Sequence, residues 1–427
     1  MKFSKTRQLI TVSSISLLVA GLLTACSLIS IDYVYVASST GIQAFAADGQ
    51  SGALRTFEPV TTSGVSSPVA MAVDSAYANL YLANQGTSSS GGTIVHYAIG
   101  LMGELTVKDT VTLSDNPVAL AINTAGTYLY VASCSASATS PSLVCASAGK
   151  VTEYALSSGA IGSAASQGAL NLTAFAGDIL VPTGVTVLAN DGADILGNAV
   201  YISAYDQSAY NPGCTPTPAC TPSTANPGWV FGFTIGSGGA LSASADSPYQ
   251  AGVKPSAIAA DPTDRFVYVT DYASNQLIGY TILGINTPNI NLNFMTSGPF
   301  HTGNEPAAIT IDPRGKFIYV ANALDSSVSA YEITQATGNP TAAINASSSG
   351  STTNSTDTQP VAIVVDPAIG RYVYTANELG DSISGFRLDP TAGYLAPTQS
   401  TPYSTGLKPT ALVAIPHGNH ATQLVTP

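Results

Sequence analysis

The stretch "DPRGKFIYVANALDSSVSAYEI", Asp312–Ile333, holds a turn, a strand, a second turn and another strand. Asp-Pro sets up a tight turn, and "FIYVAN" is a short run of β-branched and aromatic residues, the signature of a strand. That run recurs as "YVYVAS" (33–38), "LYLAN" (80–84), "LYVAS" (129–133), "VYISA" (200–204), "VYVTD" (267–271) and "VYTAN" (373–377). One tyrosine column runs through all seven copies: Tyr35, Tyr81, Tyr130, Tyr201, Tyr268, Tyr319 and Tyr374. A second strand opening on proline precedes every copy but the first: "PVAMAVD", "PVALAIN", "PTGVTVL", "PSAIAAD", "PAAITID" and "PVAIVVD". The missing one stands near the C-terminus as "PTALVAI" (409–415).

This recurrence predicts an all-β fold, a seven-bladed β-propeller of four-stranded blades. The one-strand offset predicts a ring closed by pairing the C-terminal strand 409–415 with the N-terminal strands, which leaves no open edge. A third strand carries a second aromatic column, Phe45, Tyr97, Tyr154, Phe233, Tyr280, Tyr331 and Phe386, and a fourth is more variable. Ala70, Ala119, Gly184, Ala257, Ala308, Ala362 and Ala411 keep the innermost strand slim at the axis. Each aromatic side chain buries on the order of 150–250 Å², so the tyrosines read as core between blades.

Residues 1–25 have a basic start, an apolar run and a small-residue end, the pattern of an export signal. "LTAC" (Leu23–Cys26) resembles a bacterial lipobox, which predicts a lipidated Cys26, a short tether over 26–30, the propeller over 31–416 and a tail over 417–427. Ser27 points to the outer membrane rather than the inner, so the expected location is the cell envelope, with the lipid anchor as the only membrane contact. The four other cysteines form two close pairs, Cys134/Cys145 and Cys214/Cys220, and export makes disulfides the default reading. Their spacing is not CxxC, and no motif for a nucleotide or a metal occurs. Neither cofactor nor metal is therefore expected. The net charge of −12 argues against binding nucleic acid or an anionic membrane surface. A monomer is expected, its partner an unknown small molecule or an envelope protein.

With strands labelled A to D from axis to rim, the D–A and B–C connections share one face and the A–B and C–D turns the other. The A–B turns are short ("DPTDR", "DPRGK", "DPAIGR"), and their aspartates read as turn formers. The irregular loops fall on the B–C face. They include 134–148 and 206–227, which carry the cysteine pairs, and "SSSGSTTNSTDTQ" (348–359) is expected to be a connection on this face. Both chain ends are expected on the short-turn face, pointing the loops away from a membrane to which Cys26 is tethered.

The quoted repeat resembles that of the seven-bladed lactonase-type propellers, the 6-phosphogluconolactonase-like and YVTN-repeat proteins, over essentially all of 31–416. The resemblance implies a carboxylate working with His and Arg, and "NEL" at 377–379 matches the family's acidic loop, with Glu378 as the acid. Relatives carry Pro-Arg-His at the start of the preceding strand, where this chain has Gln359-Pro360-Val361. No arginine is expected on the B–C face, and of the four histidines only His301 is expected to reach it. His96 and Glu153, at matching positions of neighbouring blades, are expected to pack as a pair. The candidate catalytic residues are Glu378 and His301, and the candidate ligand-binding residues are Lys254, Lys408, Asp271, Glu305 and Asp381. Two functions compete: an envelope binding or interaction propeller, and a hydrolase of sugar lactones.

Overall fold

The computed structural model describes residues 30–57, 59–87, 90–135, 145–171, 179–189, 198–207, 209, 227–284, 287, 290–341, 344 and 353–417. Seven antiparallel sheets, each of four or five strands, form the blades. Blade six shows the plan, with A at Pro306–Ile311, B at Phe317–Asn322, C at Ser327–Glu332 and D at Thr353–Ser355. Ring closure is as expected. Ala411–Pro416 pairs with Ser30–Ser38, bringing Pro416 opposite Asp32, and the His417 N–H donates to the Ile31 carbonyl at 2.7 Å. Both described chain ends therefore emerge at the A–B turns.

All seven column tyrosines are fully buried. Their ring faces fill the gaps between blades, and five hydroxyls also latch one blade to the next. Tyr35, Tyr81, Tyr268, Tyr319 and Tyr374 donate to the carbonyls of Gly103, Gly159, Gly338, Gly393 and Gly52, at 2.5–2.9 Å, each in the C–D turn of the following blade. The aspartates of the A–B turns hold backbone amides, as turn formers should. Asp312 Oδ1 accepts from Lys316 and Phe317 at 2.7 and 2.8 Å, and Asp366 does the same for its own turn.

Two features depart from the sequence reading. Six A strands carry a register shift just after their proline, such as Pro306/Ala308 and Pro360/Ala362. Proline has no N–H to give to the ladder, and the bulge absorbs that gap. Thr353–Ser355, expected within a connection, is instead the outer strand of blade six, paired with Ser327–Ser329.

Candidate functional site

The B–C face is organised by residues just before the A-strand prolines. Glu305, Gln359 and Lys408 each adopt φ of +53° to +59°, a left-handed conformation costly for a side chain with Cβ. Two sets of hydrogen bonds hold them there. The carbonyls of Lys254, Glu305 and Gln359 accept the N–H of Tyr272, Ala323 and Glu378, the first residue after each B strand, at 2.8–2.9 Å. The N–H groups of Glu305, Gln359 and Lys408 donate to Asn275 Oδ1, Ser326 Oγ and Asp381 Oδ1 of the preceding blade, at 2.9, 3.3 and 2.8 Å. Each B–C turn thus clasps the entry of the next inner strand, and the strained positions ring the channel mouth.

Lys254 and Glu305 enter the inner strands of blades five and six. The Lys254 ammonium lies 4.8 Å from the Tyr272 ring centroid and 5.6 Å from that of Tyr205, within cation–π range. The Tyr272 hydroxyl donates to Glu305 Oε2 at 2.6 Å. Burial pushes the Lys254 pKa down, and the charge of Glu305 pulls partly the other way. The group is a desolvated cation between two aromatic rings, with a carboxylate held one hydroxyl away. Glu378 is half-buried at the same mouth on blade seven.

The other candidates divide. Asp271 is fully buried and accepts from the N–H groups of Val253, Lys254 and Ala273 and from Gln276 Nε2, at 2.9–3.2 Å. It fixes the loop beneath Lys254 and has no oxygen left to meet a ligand. Asp381 is likewise engaged in its clasp, and Lys408 is exposed beside it. His301 does not reach the mouth. It lies on Phe300–His301, a short strand added outside strand C of blade five, where it pairs with Gln276. With strands about 4.8 Å apart, that is roughly 14 Å from the inner strand. The proline of "GPFHTGNEP" breaks the connection, and the residues after it add to the rim before the chain turns inward.

His96 and Glu153 are not paired either. His96 Nδ1 lies 2.7 Å from Asp109 Oδ2 and Nε2 lies 2.8 Å from Asn79 Oδ1, while its ring stacks on Tyr81. Equivalent positions on successive blades face the next blade, so the two side chains look into different gaps. Cys134–Cys145 is a disulfide, with Cα atoms 5.7 Å apart. It packs against Val181 and Tyr205, and Cys145 exchanges hydrogen bonds with the Gln207 side chain at 3.0 and 3.2 Å. Cys214–Cys220 and the lipobox at Cys26 lie outside the described residues. Sequence reasoning missed Tyr205 and Tyr272. Tyr272 occupies the same repeat position as Glu378, the one signal that would have found it.

The fold and this mouth define a seven-bladed propeller with ionisable groups gathered at one end of its channel. Residues 26–166 and 229–413 match the family described as Lactonase, 7-bladed beta-propeller, and the chain belongs to that family. It is 27% identical over 175 residues to the 6-phosphogluconolactonase of Bacillus subtilis, a match covering 40% of this chain and 48% of that relative. The matched stretch thus spans about half of the relative's length. Among solved structures, the Pseudomonas aeruginosa periplasmic gluconolactonase superposes with a TM-score of 0.66 at 18% identity, covering 93% of this chain and 100% of that one. A Lactobacillus plantarum protein gives 0.65 at 16% identity, covering 91% and 100%. At these identities the structural likeness carries the fold alone.

Proposed function

We propose that the chain hydrolyses an uncharged sugar lactone at the channel mouth. The observation that carries this reading is the Lys254–Tyr272–Glu305 group, supported by family membership and by Glu378 on the same face. Lactone opening needs a base for the attacking water and a cation for the oxygen that gains charge. Glu305 or Glu378 takes the water proton, and the Lys254 ammonium receives the developing oxyanion. A phosphorylated lactone fits less well, because recognition of a phosphate dianion calls for Arg forks or clustered Lys. The described arginines lie at A–B turns or toward that end of outer strands, and the loop segments 136–144, 210–226 and 345–352 contain no Lys or Arg. Lys254 is engaged with two rings, which leaves Lys408 as the exposed cation beside the mouth.

The test is proton release from δ-gluconolactone and 6-phosphogluconolactone above their spontaneous rates. Expected is faster turnover of the uncharged lactone, with kcat/KM falling on the order of 10²-fold or more in Lys254→Met and in Glu305→Gln. Turnover unchanged in both variants would sink the assignment. The missing mouth histidine and arginine favour a second reading, a binding propeller without turnover. That reading predicts that gluconolactone or gluconate raises the melting temperature while hydrolysis stays at the spontaneous rate. The envelope location, with Cys26 lipidated and the mouth turned away from the membrane, is part of the same proposal. Radiolabelled palmitate incorporation lost in Cys26→Ala checks it.

A further inference from the structure

The tyrosine latch fails between blades three and four. The Tyr130 hydroxyl is buried and has no hydrogen-bond partner. The C–D turn that would supply its carbonyl is "GSGGAL", where Gly238 and Gly239 take φ of +69° and +83°. Beside Tyr130, directly across the ladder, stands Glu153. Other blades place Ala44, His96, Gly232, Gly279, Ala330 or Gly385 at that position. Glu153 is fully buried and neither carboxyl oxygen has a partner. Burial pushes its pKa up to about 7. Gly239 is required here, since a Cβ would come within 2.1 Å of Glu153 Oε1. A third orphan, Asn198 Oδ1, completes the set.

These atoms border one cavity of about 590 Å³ on the face opposite the channel mouth, walled by Thr124, Tyr128, Tyr130, Asn198, Gly236 and Gly239. Buried acceptors without donors are costly, on the order of 1–3 kcal/mol each and more when charged. No lysine or arginine is among the described residues lining it. A carboxylate, an amide oxygen and a phenol oxygen all lack a donor, and two tyrosine rings stand beside them. We propose that this cavity between blades three and four binds a small organic amine, whose N–H donors meet Glu153, Asn198 and Tyr130. A cationic donor satisfies a buried carboxylate better than a neutral hydroxyl does, and the rings of Tyr128 and Tyr130 add cation–π attraction. This site is separate from the mouth and does not depend on lactone chemistry.

Isothermal titration of the folded chain at pH 8 with glucosamine, glucose and methylammonium separates the possibilities. Glucosamine or methylammonium is expected to bind at least tenfold more tightly than glucose. Glu153→Gln is expected to lower that affinity tenfold or more, and Tyr130→Phe several-fold. Glu153→Gln removes an unpaired buried charge, so it should be at least as stable as the parent, and a loss of binding cannot be put down to unfolding. Glucose binding as tightly as the amines, no binding of either amine, or amine binding unchanged in Glu153→Gln would each overturn the proposal.

Discussion

Blades five to seven and blades three to four are written in the same repeat but finished differently. In blades five and six the column tyrosine latches onto the next blade's glycine, Tyr268 on Gly338 and Tyr319 on Gly393. The B–C turns of blades five to seven each clasp the following inner strand. Blade three instead has an unlatched Tyr130, an unpaired buried Glu153 and a disulfide-closed loop. The regular half meets its polar groups with its own backbone. The irregular half leaves buried polar atoms unmet and holds its shape by a covalent bond. Regularity therefore marks where the ring is stabilised, and departures from it mark where something else can bind.

The largest expected effect lies in that covalent bond. Replacing both Cys134 and Cys145 by serine should cost about 2–3 kcal/mol on the chain-entropy estimate for so short a loop, read by chemical denaturation. The cost has a second part, because the bridge packs on Tyr205, which walls Lys254. Lactone affinity should therefore fall in the same variant. A stability loss without any change at the mouth would separate the two halves more completely than the contacts suggest.

Next in size is a pH effect confined to the irregular half. Glu153 has its folded-state pKa raised from 4.5 to about 7 by burial. A raised carboxyl favours folding while protonated, so its contribution is full below about pH 4.5 and is lost as pH rises through 7. Glu153→Gln should match the parent near pH 4.5 and exceed it by about 2 kcal/mol at pH 8. Asp32, buried against Asp366 at the ring seam, is also raised, first by its burial. Its loss runs in the same direction but is common to both proteins and cancels in the difference. A parent and variant with parallel pH curves would show that Glu153 already has a donor.

Smaller still is the latch itself. Tyr319→Phe removes the donor from the Gly393 carbonyl and leaves that oxygen buried, at a cost of about 1–2 kcal/mol. Tyr130→Phe removes a hydroxyl that bonds to nothing and should be neutral or slightly stabilising without ligand. Equal losses at the two positions would erase the distinction between the halves.

The ring was legible because Tyr319 and Pro306 recur with their whole strands, and inter-blade packing demands the same side chains each time. The offset of Pro409 from Tyr35 even specified the closure. The site was legible only in part. Glu305 and Lys254 could be placed from their position before a proline, since the inner strand begins there. His301 could not, because two residues of rim strand inside a connection leave no periodic trace. Asp271 and Asp381 looked like free acids, yet loop amides claim them, and nothing in a lone aspartate distinguishes those uses. The unmet Tyr130 was invisible for the opposite reason, since its own repeat is ordinary and the defect lies in the glycines of the next blade.

The smallest prediction tests whether the clasps hold stability alone or also set the mouth. Asp381 and Asn275 do the same work one ring position from an inner strand, and both sit in the left-handed region, at φ +49° and +55°. Asp381→Ala loses the bond to the Lys408 N–H while keeping the strain, a cost of about 1 kcal/mol. Asp381→Gly loses the same bond but relieves the strain, so it should be closer to neutral by roughly 0.5–1 kcal/mol. Asn275→Ala should resemble Asp381→Ala in stability, since it too forfeits an acceptor, for Glu305 N–H. The two should part in function. Asn275 fixes the backbone of Glu305, whose carboxylate accepts from Tyr272 beneath Lys254, so loosening it should raise KM for the lactone several-fold. Asp381 fixes Lys408, which touches none of that group, and KM should stay as in the parent. A matched rise in KM for both would mean that the clasps transmit around the whole ring, and that the mouth is not a local construction of blades four to six.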